Sequence, residues 1–286
     1  MQIRYGFKKE WLQFSRTFRL GGILIAIFSF ALADPLMYMA LNVMMNYMSN
    51  IDYSQMTASL GMGTGADAFE MVSGMINDSG LIFSMTMTDL CAMSLLIIML
   101  ILMSPAGGEQ KKRATIIPSC CGLKYFNYLV PKFVIYPLTV CGGTFLATMT
   151  AGGLCNILFQ ENHVDFGMML LAAFLCAVYA AFITTVYLSI GLCTSKPGVV
   201  TVLVYLGTSL VEIILTSLDL TKFHPFTLRA LVTTEMFMGD FELSENIASI
   251  CVGTLLSIIV MVLMFFMAYA VLNAKKINNQ EDKPEF

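Results

Sequence analysis

Three carboxylate side chains lie inside otherwise apolar stretches of the sequence, where they could do chemistry. Asp34, Asp89 and Glu212 each sit in a run of residues long enough to cross a membrane. An ionised carboxylate at bilayer depth costs roughly 2.5–3.5 kcal/mol, so such residues usually face a bundle interior or a water-filled cavity. We interpret the three acids as candidate residues of a substrate pathway or a proton site. A hydrogen-bonded structural acid is the alternative interpretation of each.

The sequence lacks the motifs of the common hydrolases and metalloenzymes. His163 and His224 have no acidic or cysteine partner at ligand spacing, and no zinc-, serine- or aspartyl-protease motif is present. The eight cysteines also show no metal-ligand spacing, and we interpret them as small apolar residues. No phosphate-binding Gly-x-x-x-x-Gly-Lys-Ser/Thr sequence occurs. The chain is therefore predicted not to be an enzyme, to hold no cofactor or metal, and not to hydrolyse ATP.

The most distinctive polar segment, 104–128, lies between the second and third apolar stretches. Glycines end the second stretch, a basic run follows, and a short amphipathic helix is predicted at 123–130. A polar patch followed by an apolar helix is suited to docking on a cytoplasmic partner. The polar residues of this segment include Glu109, Lys112 and Arg113, and the aromatic residues Tyr125 and Phe126 follow them.

The composition of the chain indicates that membrane-spanning helices position the candidate residues. Apolar residues make up 57% of the 286 residues, charged residues only 12%, and the mean hydropathy is +0.76. Soluble domains average about 45–50% apolar and 25% charged residues, so a soluble protein of this composition could not cover its own surface. We exclude soluble enzymes, nucleic-acid binders and disordered scaffolds. The prediction is an all-α polytopic membrane protein with one transmembrane domain, 1–286.

Six membrane spans are predicted, because a span needs about 20 mostly apolar residues. They lie at 20–48, 81–103, 129–158, 166–193, 199–218 and 247–272. All of the 16 basic residues except Lys222 and Arg229 flank these spans on one side. Basic residues stay on the cytoplasmic side. We therefore expect a multi-pass protein of the plasma membrane, from a bacterium, with both termini and the 104–128 loop in the cytoplasm.

Four segments outside the spans have their own predicted roles. The first, 1–19, places Phe7, Trp11, Phe14 and Phe18 on one helix face and is predicted to lie at the membrane surface as an elbow helix. An extracellular insert is predicted at 49–80. A hairpin that dips into the outer leaflet, where protein must bury its backbone, is predicted at 219–246. The segment 273–286 is predicted to be a cytoplasmic tail.

The 104–128 loop and the layout of the chain resemble the membrane permeases of type-2 ABC exporters, which export drugs, polysaccharides or peptides. The matching loop residues are Gly108, Glu109, Lys111, Lys112, Arg113, Thr115 and Lys132, and the sequence departs from the family pattern at Ala114, at Pro118-Ser119 and at Pro131. The layout of an elbow helix, six spans and an outer hairpin before span six extends the likeness along nearly the whole chain.

The resemblance implies a half-transporter that works with a second permease, forming a homodimer, and with two copies of a cytoplasmic ABC ATPase that bind ATP and Mg. The residues that the resemblance implies for coupling to the ATPase are Glu109, Lys112, Arg113, Tyr125 and Phe126. Substrate would pass between the permeases within the lipid bilayer. The chain has 23 methionines, and methionine suits surfaces that accept varied apolar partners. This favours an amphipathic peptide or lipophilic small molecule, although ordinary lipid-facing methionine explains the number equally well.

Two other classes of function remain open at this point. A proton-coupled secondary transporter would use Asp34, Asp89 or Glu212, but it would need an internal repeat, and none is found in the sequence. A membrane scaffold or sensor that transports nothing is the third class.

The charge distribution makes a testable prediction about topology. On a background without native cysteines, Gly65→Cys should react with a membrane-impermeant maleimide in intact cells, because 50–79 is predicted to lie outside. Ala114→Cys is the matched control and should react only after permeabilisation. The opposite pattern would reverse the predicted orientation.

Overall fold

A computed structural model describes residues 2–49, 77–108, 125–159, 161–194, 196–218, 222–238 and 241–281. Within these residues six helices are long and apolar enough to cross a membrane, which confirms the prediction of an all-helical, multi-pass membrane protein. We call them spans one to six: Arg19–Met44, Ser79–Ile101, Tyr125–Leu158, Phe166–Cys193, Pro197–Leu215 and Leu243–Ala274.

The helices themselves extend beyond some of these spans. An N-terminal helix, Gln2–Arg16, precedes the span-one helix, which runs over Arg19–Ser49 and continues through Pro35. The span-five helix is Pro197–Ser217, and the span-six helix, Leu243–Glu281, continues into the predicted tail. Most of the predicted extracellular insert, 50–76, lies outside the described residues.

Span two is interrupted by a π-helical turn. The α-helix Ser79–Asp89 passes into π-turn Leu90–Ser94 and then α-helix Leu95–Ile101. A second π-helical stretch, Ser104–Gly108, follows. A π-turn accommodates one extra residue within a helix, and such turns are frequent at functional sites.

Local sequence explains several helix ends. The Asp78 side chain accepts a hydrogen bond from the Leu81 amide at 3.0 Å, and Asp165 caps span four through the Gly167 amide at 2.9 Å. Span four ends at Cys193, and Pro197 is the first residue of span five, a position that proline favours because it has no amide to leave unpaired. Span four therefore ends at its predicted last residue, 193, and span five begins two residues before its predicted start at 199.

Spans two, three and four form the centre of the bundle. In the most apolar 18-residue stretch of span four, 61% of the residues are buried. The corresponding share is 17% in span five and 17% in span six. Spans five and six therefore lie at the periphery of the bundle.

The N-terminal helix packs on the start of span three. Phe14 is fully buried and meets the Tyr136 ring edge-on at 5.1 Å between centroids, while Trp11 and Phe18 are exposed. Gly6 permits the close approach, since a Cβ there would lie 2.7 Å from the Asn127 carbonyl oxygen. The predicted aromatic face is thus divided: part of it packs on span three and part points away from the bundle.

A second close approach joins the end of span two to span four. A Cβ on Gly107 would lie 2.7 Å from the Gly191 carbonyl oxygen, and a Cβ on Gly191 would lie 2.7 Å from the Ala106 Cβ. Small residues at such a crossing let two helix backbones pack directly in a membrane.

This crossing predicts a difference between glycine substitutions. Gly107→Ala and Gly191→Ala should each destabilise the bundle by about 1–3 kcal/mol, as overpacking of a filled core does. Gly142→Ala in span three is the control, because a Cβ there meets no atom within 4 Å, and its stability should be unchanged or raised. Thermal unfolding of the detergent-solubilised protein is the measurement. Equal midpoints for all three variants would contradict the packing.

Candidate functional site

The predicted coupling residues fall partly inside the described structure. Glu109, Lys112 and Arg113 lie outside the described residues. Tyr125 and Phe126 are the first residues of the span-three helix. A short helix is predicted at 123–130. From Tyr125 onward it is continuous with span three, because one helix runs from Tyr125 to Leu158.

Phe126 is held by span six. Its ring lies edge-on to Phe265 at 5.8 Å and to Tyr269 at 6.0 Å between centroids. Its side chain remains 39% exposed. The end of the 104–128 loop is thereby fixed to span six, with part of the Phe126 ring still accessible.

Asp34 and Asp89 lie near each other on spans one and two. Asp34 is 8% exposed, and its Oδ2 atom is buried without a hydrogen-bond partner among the described residues. Asp89, Tyr38 and Cys155 are ionisable groups that interact electrostatically with it. Asp89 ends the first α-helical part of span two, directly before the π-turn. The two acids therefore lie on neighbouring spans, close enough to interact electrostatically.

Glu212 lies elsewhere and forms an ion pair with Arg229. Glu212 belongs to span five, and Arg229 to the short helix Thr227–Ala230 of the outer segment. The Arg229 Nη1 atom donates to Glu212 Oε2. Burial opposes the charge of Arg229, but Tyr179 and Glu212 outweigh it and raise the pKa of Arg229 above its ordinary value. The guanidinium is therefore charged at any physiological pH.

The outer segment carrying Arg229 is packed into the bundle. It consists of Thr227–Ala230, the π-turn Leu231–Glu235 and Met236–Met238, and it contacts spans two, four and six. Ser84 Oγ of span two donates a hydrogen bond to the Thr233 carbonyl at 2.5 Å. This packing places Arg229 against span five.

Two adjoining cavities meet at this ion pair. A groove of about 510 Å³ is lined by Ser209, Glu212, Ser217 and Arg229. A much smaller cavity deeper in the bundle is lined by Cys91, Tyr179 and Tyr205, and it shares Ser209 and Arg229 with the groove. The pair therefore stands between an open groove on span five and the bundle core. A charged or zwitterionic group could pair with Arg229 and Glu212 while an apolar body lies along span five.

A buried lysine that the sequence analysis treated as a loop cation proves to be part of the core. Lys132 is fully buried in span three, and its Nζ lies 3.6 Å from Glu10 Oε1 and donates to the Pro105 carbonyl at 3.2 Å. Glu10, on the N-terminal helix, is 2% exposed. Glu10 is the lone acid among residues 1–19, which is the one signal in the sequence that could have indicated a specific partner.

The same network continues to the end of span two. Tyr136 donates its hydroxyl to Glu10 Oε2 at 3.4 Å. Arg19 donates to the Tyr136 hydroxyl at 3.2 Å and to Ser104 Oγ at 3.0 Å. The two chain segments that flank 109–124 are thus joined to each other and to the N-terminal helix through side-chain hydrogen bonds.

Comparison with known proteins adds no family to this description. The chain matches no family model, no curated protein and no solved structure. Among the described residues, no group of three or more His, Cys, Asp or Glu side chains could hold a metal ion. Function has to be inferred from the geometry of the chain itself.

The ion pair predicts a non-additive pair of substitutions. Glu212→Gln or Arg229→Gln alone leaves a partly buried charge without its partner. Each should destabilise by roughly 1–3 kcal/mol, less than for a fully buried pair because both side chains are partly exposed. The double variant should recover much of this loss in thermal unfolding. Glu235→Gln, at an exposed acid of the same outer segment, is the control. Additive losses in the double variant would contradict a direct pairing.

Proposed function

We propose that this chain is the permease subunit of a type-2 ABC exporter, which moves an amphipathic peptide or lipophilic small molecule out of the cell. The energy comes from ATP hydrolysis in a separate cytoplasmic ATPase. The observation that carries the proposal is the buried network around Lys132 and Glu10, since it ties both ends of 109–124 to the bundle. A movement imposed on that segment by a partner passes directly to spans two and three.

The N-terminal helix fits the role of an interfacial elbow. Its basic residues Arg4, Lys8, Lys9 and Arg16 are exposed, as is Trp11. Tryptophan and basic side chains suit the headgroup region of a membrane. A helix held there and joined to span three through Glu10 would keep the cytoplasmic end of the bundle at a fixed depth in the membrane.

The outer segment fits a re-entrant hairpin. Its buried residues include Leu228, Leu231 and Val232, and its backbone receives a hydrogen bond from Ser84. Irregular backbone at membrane depth requires such burial in protein. The hairpin brings Arg229 to Glu212 and so forms the charged end of the proposed substrate path.

The periphery of the bundle supports a homodimer with the path at its interface. Span five is mostly exposed and carries the groove of Ser209, Glu212 and Ser217. A second permease packed on this face would close the groove and exclude lipid from it. The exposed methionines of span one, Met37, Met39 and Met44, would offer adaptable apolar contacts to varied substrates.

A proton-coupled secondary transporter is the second candidate function. It is favoured by Asp34, whose buried Oδ2 has no hydrogen-bond partner in the described part of the chain, and by Asp89 nearby. Intramembrane carboxylates of this kind serve as proton relays in transporters.

The proposal predicts where ATP is hydrolysed. The purified chain should show no ATPase activity, and co-expression with its ATPase should give a stable complex with lipid-dependent turnover. Glu109→Lys and Arg113→Glu reverse charges at the predicted contact, where like charges cost several kcal/mol, and should abolish co-purification. Lys196→Glu, in the break between spans four and five, is the control and should leave the complex intact.

Energy source separates the two candidate functions. In proteoliposomes containing the complex, uphill transport should require ATP, and Asp34→Asn should change substrate affinity without removing ATP dependence. Transport driven by a pH gradient without ATP, and lost in Asp34→Asn, would establish the secondary transporter instead. Robust ATP hydrolysis by the chain alone would contradict both.

A further inference from the structure

Three sulfur atoms meet in the core of the bundle. Cys91 lies in the π-turn of span two, and its Sγ is 3.6 Å from the Sγ of Cys176 in span four. The Cys176 Sγ is 3.8 Å from the Sδ of Met87, one turn before Cys91. All three side chains are buried, at 5%, 1% and 0% exposure respectively. The Cys176 thiol of span four thus contacts both a thiol and a thioether of span two.

We propose that Cys91, Cys176 and Met87 form a binding site for one Cu(I) ion. Thiolate and thioether sulfurs are the soft ligands that select Cu(I), whereas oxygen ligands suit harder cations. With metal–sulfur bonds of about 2.3 Å, two cysteine sulfurs 3.6 Å apart can share one ion at a bond angle of roughly 105°.

The same set of ligands disfavours zinc. Structural zinc sites are tetrahedral, with four nitrogen, sulfur or oxygen ligands. No third His, Cys, Asp or Glu joins the two cysteines among the described residues. A low-coordinate ion is therefore the better match.

Binding needs no oxidant or reductant. Each thiol loses its proton to water as its sulfur bonds to the ion, and copper stays in the +1 state throughout. The product, two thiolates and one Cu(I), carries one negative charge. The guanidinium of Arg229 lines the same small cavity as Cys91, so a positive charge lies close to the site.

The adjoining cavities give the ion a route to the site. Cys91 lines the small cavity that shares Ser209 and Arg229 with the open groove on span five. An ion delivered from the groove therefore has one cavity to cross before it reaches Cys91. The site is separate from the Lys132 network and does not depend on the proposed coupling to an ATPase.

The test is a Cu(I) titration of the full-length chain in detergent, under anaerobic reducing conditions, against the chromophoric chelator bicinchoninate. The parent variant keeps Cys91 and Cys176 and has alanine at the other six cysteines, which removes Cys120 and Cys121 as competing ligands. It should take up one equivalent of copper. Cys91→Ser or Cys176→Ser should lower the affinity at least tenfold, and Met87→Leu should weaken it by less while keeping the stoichiometry. Copper X-ray absorption should show sulfur ligands only.

A second comparison covers the case in which the six-alanine chain does not fold. In the otherwise native chain, the Cys91→Ser/Cys176→Ser double variant should bind one equivalent less than the wild type. Cys251→Ser, at an exposed cysteine of span six, is the matched control and should bind as the wild type does. A parent chain that takes no copper from the chelator, or a double variant that binds as much as its parent, would overturn the proposal.

Discussion

The buried charge of Lys132 is the constraint on which the end of the molecule around the N-terminal helix depends. An ammonium group with no exposure must be paired, because leaving it unpaired costs several kcal/mol. Glu10 supplies the opposite charge and Pro105 an acceptor. The pairing requires the N-terminal helix to pack on span three and the end of span two to lie beside it. Gly6 and the edge-on contact of Phe14 with Tyr136 then fit around the pair.

The same physical rule explains the outer half of the bundle. Glu212 would be costly on a span surrounded by lipid, and Arg229 offsets this cost by reaching it from the outer segment. The segment can approach because its own buried residues fill the space between spans two, four and six. Charge pairing thus fixes the positions of two non-spanning segments, the N-terminal helix and the segment that carries Arg229.

The Lys132–Glu10 pair, the Glu212–Arg229 pair and the three sulfur atoms lie in different regions of the bundle. Each region is suited to a different kind of interaction. Lys132, Glu10 and Tyr136 are buried at the centre of their network, which suits a rigid link to a partner. The Glu212–Arg229 pair borders an open groove, which suits contact with a substrate. Cys91, Cys176 and Met87 are buried in the core, and Cys91 lines the small cavity that Arg229 also lines, so their sulfur atoms suit the soft ion proposed above.

The sequence by itself determined the six spans, the all-helical class and the break between spans four and five, because hydropathy and proline act locally. It also indicated that Asp34, Asp89 and Glu212 lie within the membrane. The partners of the charged and sulfur-containing residues were decided only by the tertiary structure: Lys132 with Glu10, Glu212 with Arg229, and Cys91 with Cys176. In lipid, an apolar helix face gains little from one apolar neighbour over another. The close packing of the whole bundle therefore decides which helices meet and which polar groups pair. Local sequence patterns do not contain this information.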